Sequence, residues 1–292
     1  MKIDAFNPQF GSIARTSGMA PFAEQFDSHL TEIISALKDT GFVHFQGAGI
    51  DQQEFELLTE KLTVSDAAIS PALHGSKARD VFSRKPELGM HAEQYYLPWR
   101  PDLIAFHCER PADHNGRTLV CDGIRFLSEL SMPTLELFRE QPLSYNLRFS
   151  RKRWKWTFNV KNGRQLKKLL NAPGVRYRFS LSRALHFNYT VSAIQQTRFQ
   201  QADAFVNAIV HALDYPGYGL RLANGMPISA EVEKELREIA ARTSVAIPWQ
   251  AGDFAIIDNS RVLHGREAYT DPNRMLRAKH GLINFEVGSP DC

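Results

Sequence analysis

A histidine and a glutamate stand two residues apart in Gly89-Met90-His91-Ala92-Glu93. In an extended segment residues i and i+2 point to the same face, so one imidazole and one carboxylate reach a common ion from a single strand end. Far downstream, Asp258-Asn259-Ser260-Arg261-Val262-Leu263-His264-Gly265-Arg266 supplies a second histidine after an apolar run. Two imidazoles and a carboxylate on one side of a metal form the donor set of non-haem ferrous sites. Three positions then stay open for a cosubstrate and O2. The His-x-Glu pattern recurs at His107-Cys108-Glu109, at the end of an apolar strand. The ordinary reading of either pair alone is a surface hydrogen bond, and only the surroundings separate them.

Many short elements must position these residues. Residues 21 to 37 carry Phe22, Phe26, Leu30, Ile33, Ile34 and Leu37 at helical spacing. Phe42 to Phe45 reads as a strand, and Asp51 as the cap of a helix running to about Leu62. Strands are expected at Leu103 to Phe106 and Thr118 to Cys121, with a turn at Asn115-Gly116 between them. Further strands are expected at Leu143 to Phe149, Tyr177 to Leu181, Leu185 to Val191, Val245 to Pro248, Phe254 to Ile257 and Met275 to Val287. Helices are expected at about Phe199 to Leu213 and Ser229 to Ala241. Short strands with helices packed outside them point to a β-sandwich or barrel core, not to βαβ units.

The chain has 292 residues, 43% hydrophobic and 23% charged, with a formal charge of +3. That apolar content is enough to repay the ordering of a globular chain, which excludes disorder. The small net charge makes the whole chain a poor nucleic-acid binder by default. No apolar run approaches the length of a membrane span, and the N-terminus shows no secretory h-region. Cys108, Cys121 and Cys292 cannot all pair and lack CxxC spacing, so free thiols in a reducing cytoplasm are expected.

Three stretches taken together resemble a known family. They are Gly89 to Glu93, then Pro98-Trp99-Arg100-Pro101-Asp102-Leu103-Ile104-Ala105-Phe106-His107-Cys108, then Gly116-Arg117-Thr118-Leu119-Val120-Cys121-Asp122-Gly123. Gly252-Asp253-Phe254, His264-Gly265-Arg266 and Arg274-Met275-Leu276-Arg277 complete the pattern near the end. The chain resembles the taurine dioxygenase (TauD/TfdA-like) family of Fe(II)- and 2-oxoglutarate-dependent dioxygenases over roughly residues 40 to 287. The resemblance implies a mainly β fold with flanking helices (α+β) and a double-stranded β-helix core of the jelly-roll or cupin kind. It implies one domain over 1–292, with a divergent substrate-lid insertion at about 145–245.

Carried over residue by residue, it implies that His91, Glu93 and His264 ligate iron. Thr118 and Arg274 would bind the distal carboxylate of 2-oxoglutarate, and a guanidinium suits that task through two parallel hydrogen bonds. Arg277 is the neighbour that takes the same role or faces substrate. The activity implied is hydroxylation of a small molecule, with release of succinate and CO2; desaturation and cyclisation use the same oxidant. No protein acid or base beyond the metal ligands is required. Glu93, where many members carry Asp, resembles the clavaminate synthase-like branch, which acts on amino-acid-derived metabolites. Its presence disfavours halogenation. Hydrolytic zinc chemistry uses similar ligands but has no role for a paired Thr/Arg carboxylate site.

Residues 148 to 168 hold nine Lys/Arg and no acid, with Trp154, Trp156 and Phe158 interleaved at period two. That period predicts a strand with one aromatic and one basic face. The resemblance implies that this stretch forms the lid and one wall of the substrate pocket, which makes Arg153 and Trp156 candidates there, as Tyr95 and Tyr96 are beside the iron motif. Parity puts Tyr95 on the face of His91 and Glu93. The basic stretch suits an anionic metabolite or an acidic carrier protein; its ordinary reading is the solvated face of an edge strand. The alternative to an enzyme is a non-catalytic barrel that binds an acidic partner through it. His186, in a strand, reads as a satisfied core histidine.

Overall fold

The computed structural model describes residues 1–8, 10–16, 20–64, 79–80 and 86–285. Cys292 and the end of the expected 275–287 strand lie outside these residues.

Two antiparallel sheets face each other. The larger orders its strands Lys2–Ala5, Ser12–Arg15, Phe42–Gln46, Phe254–Asp258, Leu103–Arg110, Met275–Ile283 and Thr63–Val64, with Arg79–Asp80 beside Met275–Ile283. Ser12–Arg15 runs parallel to Phe42–Gln46. The smaller sheet orders Val245–Ala246, Thr118–Asp122, Val262–Arg266 and Leu88–His91. Sequence neighbours are seldom sheet neighbours, which is the crossed connectivity of a jelly roll.

The central strands are apolar on both faces because both are covered. In Phe254–Asp258, Phe254 and Ile256 pack under the N-terminal helices against Phe26, Leu37 and Phe55. Ala255 and Ile257 face the small sheet and meet Val120 and Val262. Phe45 stacks on its strand partner Phe254 with ring centroids 4.1 Å apart, and Phe26 of the first helix packs on both rings. The helical pattern at 21–37 forms two helices, Phe22–Ser28 and Leu30–Thr40, broken at His29. Asp51 caps Gln52–Glu60, accepting from the Glu54 amide while the Glu54 carboxylate accepts from Asp51. Such a reciprocal cap satisfies two orphan donors at once.

Between the small-sheet strand Thr118–Asp122 and the late strands of the jelly roll, the chain builds a four-stranded sheet of its own, which shares a core with Met90, Cys121 and Leu263. Its order is Val175–Phe179, Leu185–Val191, Leu143–Phe149 and Arg221–Leu222. Three expectations fail within it. The aromatic-basic segment is not a strand but two helices, Arg151–Thr157 and Gly163–Leu169. Ser150 caps the first by accepting from the Arg153 amide, and Asn162 caps the second. Trp154 and Phe158, four apart, share the buried face, whereas Trp156 is 68% exposed. A period of two over only three aromatics also fits an i, i+4 pair with one outlier, and the cap decided between them. The helix expected over Phe199 to Leu213 is instead the strand Asp203–Phe205 followed by the helix Ile209–Asp214. The expected helix at Ser229 to Ala241 forms as Ala230–Thr243, capped by Ser229. His186 is not a core histidine but sits half-buried on the outer face of the insert sheet.

Candidate active site

His91 ends the strand Leu88–His91 and lies directly opposite His264 on Val262–Arg266. Opposed residues in an antiparallel pair share a face at close spacing. The two rings accordingly lie 4.3 Å apart. Gly265 lets the strands come this close. A Cβ there would sit 2.7 Å from Met90 Sδ and 2.8 Å from the Leu88 carbonyl oxygen. Such contacts leave room only for glycine.

Glu93 follows the strand end, where a positive φ at Gln94 turns the chain. Its carboxylate Oε2 stands 3.8 Å from Nε2 of each histidine. One donor atom from each of the three side chains lies within 4.8 Å of the others. Ligands in neighbouring positions at about 2.1 Å from one ion stand about 3 Å apart, so small side-chain rotations bring these donors onto an ion. The buried His91 Nδ1 bonds the Gly89 carbonyl oxygen at 2.9 Å. A carbonyl only accepts, so Nδ1 carries the proton and Nε2 presents its lone pair to the cluster. Burial, then the neighbouring His91, pushes His264 well below the ordinary imidazole range, keeping it neutral and ready to ligate.

The side chain of Asn259 holds the carboxylate's backbone. Its Oδ1 accepts from the Glu93 amide at 2.7 Å, and its Nδ2 donates to the carbonyls of Glu93 (3.1 Å) and Pro101 (2.9 Å). Asn259→Ala removes all three bonds and strands buried backbone groups. The expected result is a loss of about 2–4 kcal/mol of stability and a fall of roughly 10- to 100-fold in metal affinity. Thermal melts and metal titration of the apoprotein check it; unchanged affinity would remove Asn259 from the site.

A second cluster lies one strand away. Thr118 Oγ1 accepts from Trp249 Nε1 at 2.9 Å and from Arg274 Nη2 at 3.5 Å. Arg274 is buried, and its Nε donates to the Gly116 carbonyl at 2.9 Å. Its Nη1 has no hydrogen-bond partner among the described residues. Arg266, opposite Thr118 in register, is likewise buried, with Nη2 on the Pro86 carbonyl and Nε unpartnered. The Tyr269 ring lies under both guanidiniums, at 4.9 Å from Arg266 and 4.8 Å from Arg274. Burial draws both guanidiniums below their usual range, yet arginine stays charged. Neither pairs with a carboxylate among the described residues, so this corner is electropositive.

Arg277 does not join it. Its guanidinium pairs with Glu109, beside His107 on the neighbouring strand. The rival His107-Cys108-Glu109 motif is thereby structural too. His107 bonds the Ile50 carbonyl at 2.9 Å and stacks on Phe55, while Glu109 answers Arg277.

The tyrosines exchange places with expectation. The strand stops at His91, so parity does not extend to residue 95. Tyr95 is buried beneath Arg100, 4.1 Å from its ring, and lines a separate cavity of about 480 Å3. Tyr96 is the one whose hydroxyl feels Glu93, and it packs on Tyr218 at 4.8 Å. Tyr218 in turn bonds His211 Nε2 at 3.2 Å, and the His211 ring lies 4.8 Å from His91. Burial, then His91, pushes His211 down to about 3, so this wall is neutral. Arg153 is exposed, but its charge reaches both Tyr96 and Tyr218. Trp156 lies in the solvent-facing part of its helix, not in this wall. Sequence reading missed Asn259 and Arg266, although both stand in quoted motifs. It also missed His211 and Tyr218, which no spacing ties to the rest.

A jelly roll that gathers two histidines and a carboxylate near a buried Thr/Arg pair has the make-up of the non-haem iron oxygenases that take a 2-keto acid. The model of the family described as "Taurine catabolism dioxygenase TauD, TfdA family" matches residues 4–279, and the chain belongs to that family. It is an Fe(II)- and 2-oxoglutarate-dependent dioxygenase. A clavaminate synthase-like protein of Arabidopsis thaliana is 30% identical over 104 residues, 36% of this chain and 28% of the relative. The chain thus spans under a third of that relative's length. The dapdiamide synthesis protein DdaC of Enterobacter agglomerans is 22% identical over 90% of this chain and 88% of its own. Among solved structures, PvcB of Pseudomonas aeruginosa superposes with a TM-score of 0.60 at 17% identity, covering 94% of this chain and 86% of PvcB. That likeness is one of fold. Among the described residues no helix is long and apolar enough to cross a membrane.

Proposed function

We propose that His91, Glu93 and His264 hold Fe(II) and that Thr118 and Arg274 bind the distal carboxylate of 2-oxoglutarate. The substrate is a small, anionic or amino-acid-derived metabolite, which is hydroxylated, desaturated or cyclised in a biosynthetic pathway. The observation that carries this reading is the unpartnered Nη1 of buried Arg274 beside Thr118. A buried cation without a carboxylate partner is costly, and a carboxylate cosubstrate supplies the acceptor that Nη1 lacks. When bound, the iron supplies the activation of O2 coupled to decarboxylation of 2-oxoglutarate to succinate and CO2. The chain's own residues do the rest. Gly89 fixes the His91 tautomer, Asn259 fixes the Glu93 loop, and Arg274 orients the keto acid. Tyr96, Tyr218 and His211 form the wall on the substrate side, with Arg153 at its outer edge. The insertion at about 145–245 acts as the lid that shuts water out, which favours chemistry at a placed C–H bond.

The biosynthetic setting is supported by relatives. DdaC is named for dapdiamide synthesis, and PvcB is described as an iron, 2-oxoglutarate-dependent oxygenase of an isonitrile synthetic pathway. The reading needs a small molecule and O2 and calls on no carrier protein. A purely binding role gives the buried arginines nothing to do. Anaerobic addition of Fe(II) and 2-oxoglutarate to the apoprotein should raise a weak metal-to-ligand charge-transfer band in the visible. A protein that binds iron yet shows no band would end this assignment.

A further inference from the structure

From Gln141 to Ala202 the chain has no Asp or Glu and thirteen Lys or Arg, so with +3 overall the remainder carries −10. Such asymmetry within one chain marks an anion-facing surface. The fold concentrates it further. In the insert sheet, Leu143, Tyr145, Phe149, Leu185, Phe187 and Tyr189 are buried on one face. Alternation sends the residues between them to the other face. Register then lines up Arg178, His186 and Arg148 across three strands, with Arg176, Asn188 and Asn146 in the row beside them.

These six residues line a cavity of about 370 Å3 whose lining contains no carboxylate. Like charges set across strands destabilise a sheet, and here a histidine is wedged between two arginines. The Asn188 amide is already held, donating to Ser144 Oγ at 2.6 Å and Asn146 Oδ1 at 2.9 Å. Arg178 and Arg148 lie two strand spacings apart, about 10 Å, so both guanidiniums can fold over one anion above His186. Three guanidiniums exceed what a single carboxylate engages, and they match the several oxygens of a tetrahedral dianion.

We propose that the outer face of the sheet formed by residues 143–149, 175–179 and 185–191 is a second anion site, which takes a phosphate-type group. Arg148 also lines the adjoining cavity with Arg151 and Arg153. The charge of Arg153 is felt at Tyr96 and Tyr218, so the basic surface extends towards that wall and suits a phosphoryl group carried on an extended ligand. The same chemistry serves a free phosphate ion.

The test is a titration of the full chain, following the His186 imidazole resonances by NMR. The probes are inorganic phosphate and phenyl phosphate, with sodium chloride at matched ionic strength as control. Saturable shifts with at least one phosphate and none with chloride are expected. The Arg148→Gln/Arg178→Gln double variant should weaken binding at least tenfold, with a thermal midpoint no lower than that of the parent and an unchanged Fe(II)/2-oxoglutarate band. Should the double variant fold poorly, Arg176→Gln alone should still lower affinity severalfold. Binding of phenyl phosphate as tightly as inorganic phosphate assigns the site to a carried phosphoryl group, and binding of inorganic phosphate alone assigns it to the free ion. Shifts that chloride reproduces, equal affinity in the variants, or a response only to long polyanions such as heparin would each overturn the proposal. Nothing in the titration requires turnover, so it stands or falls apart from the iron site.

Discussion

His264→Ala leaves an enzyme that folds but does not turn over. Succinate formation should fall by on the order of 10³-fold or more, because loss of an outer-sphere partner alone costs 10- to 100-fold and this residue would be a ligand itself. The fold should tolerate the change. His264 is buried, its Nδ1 has no partner among the described residues, and burial already denies it a proton. Removing such a ring leaves a small cavity beside Phe106, whose ring packs on it at 5.4 Å, but strands no other polar group. A thermal midpoint within a few degrees of the parent, together with lost iron retention and lost succinate, separates a ligand from a packing residue. His91→Ala should behave alike in activity, and its melt should fall more, because the Gly89 carbonyl loses its buried donor. Full activity in either variant removes the triad.

The parts of this molecule that could be read before folding are those where one local rule meets no rival. The strands at Leu103 and Phe254 announce themselves as apolar runs, and the sandwich then covers both their faces. Asp51 three residues ahead of Glu54 is a helix start whatever surrounds it. The three side chains that can hold a metal lie together where strand parity and a motif coincide. Two of the misses share one cause. Parity was extended past an unseen strand end at His91, which put Tyr95 where Tyr96 belongs. Parity was also imposed on Trp154, Trp156 and Phe158, where the Ser150 cap starts a helix. Arg277 failed differently. Its partner Glu109 is 168 residues away in sequence, so only the sheet register decides whether that charge is available. His211 and Tyr218 reach the site by the fold of the insertion alone.

That same distinction between a paired and an unpaired arginine sets the second large effect. Arg274→Ala should raise KM for 2-oxoglutarate roughly 100-fold, since two charge-assisted hydrogen bonds to a carboxylate are together worth about 3 kcal/mol. Arg277→Ala should move it by no more than about twofold, because its guanidinium is engaged by Glu109 at the surface of the barrel. Stability should split the other way. Arg274 is a buried cation that pairs with no carboxylate among the described residues, so in Arg274→Met, which keeps the bulk and drops the charge, relief of that charge should offset the lost bond to the Gly116 carbonyl and leave the apo melt near that of the parent. In the parent, 2-oxoglutarate with iron should raise the melting temperature; in Arg274→Met that increment should nearly vanish. The pairing of a lost ligand-induced shift with an undiminished apo melt cannot come from damage to the fold. A normal KM in Arg274→Ala with a raised KM in Arg266→Ala would instead move the cosubstrate carboxylate to the other side of the Tyr269 ring, onto the second of the two buried guanidiniums.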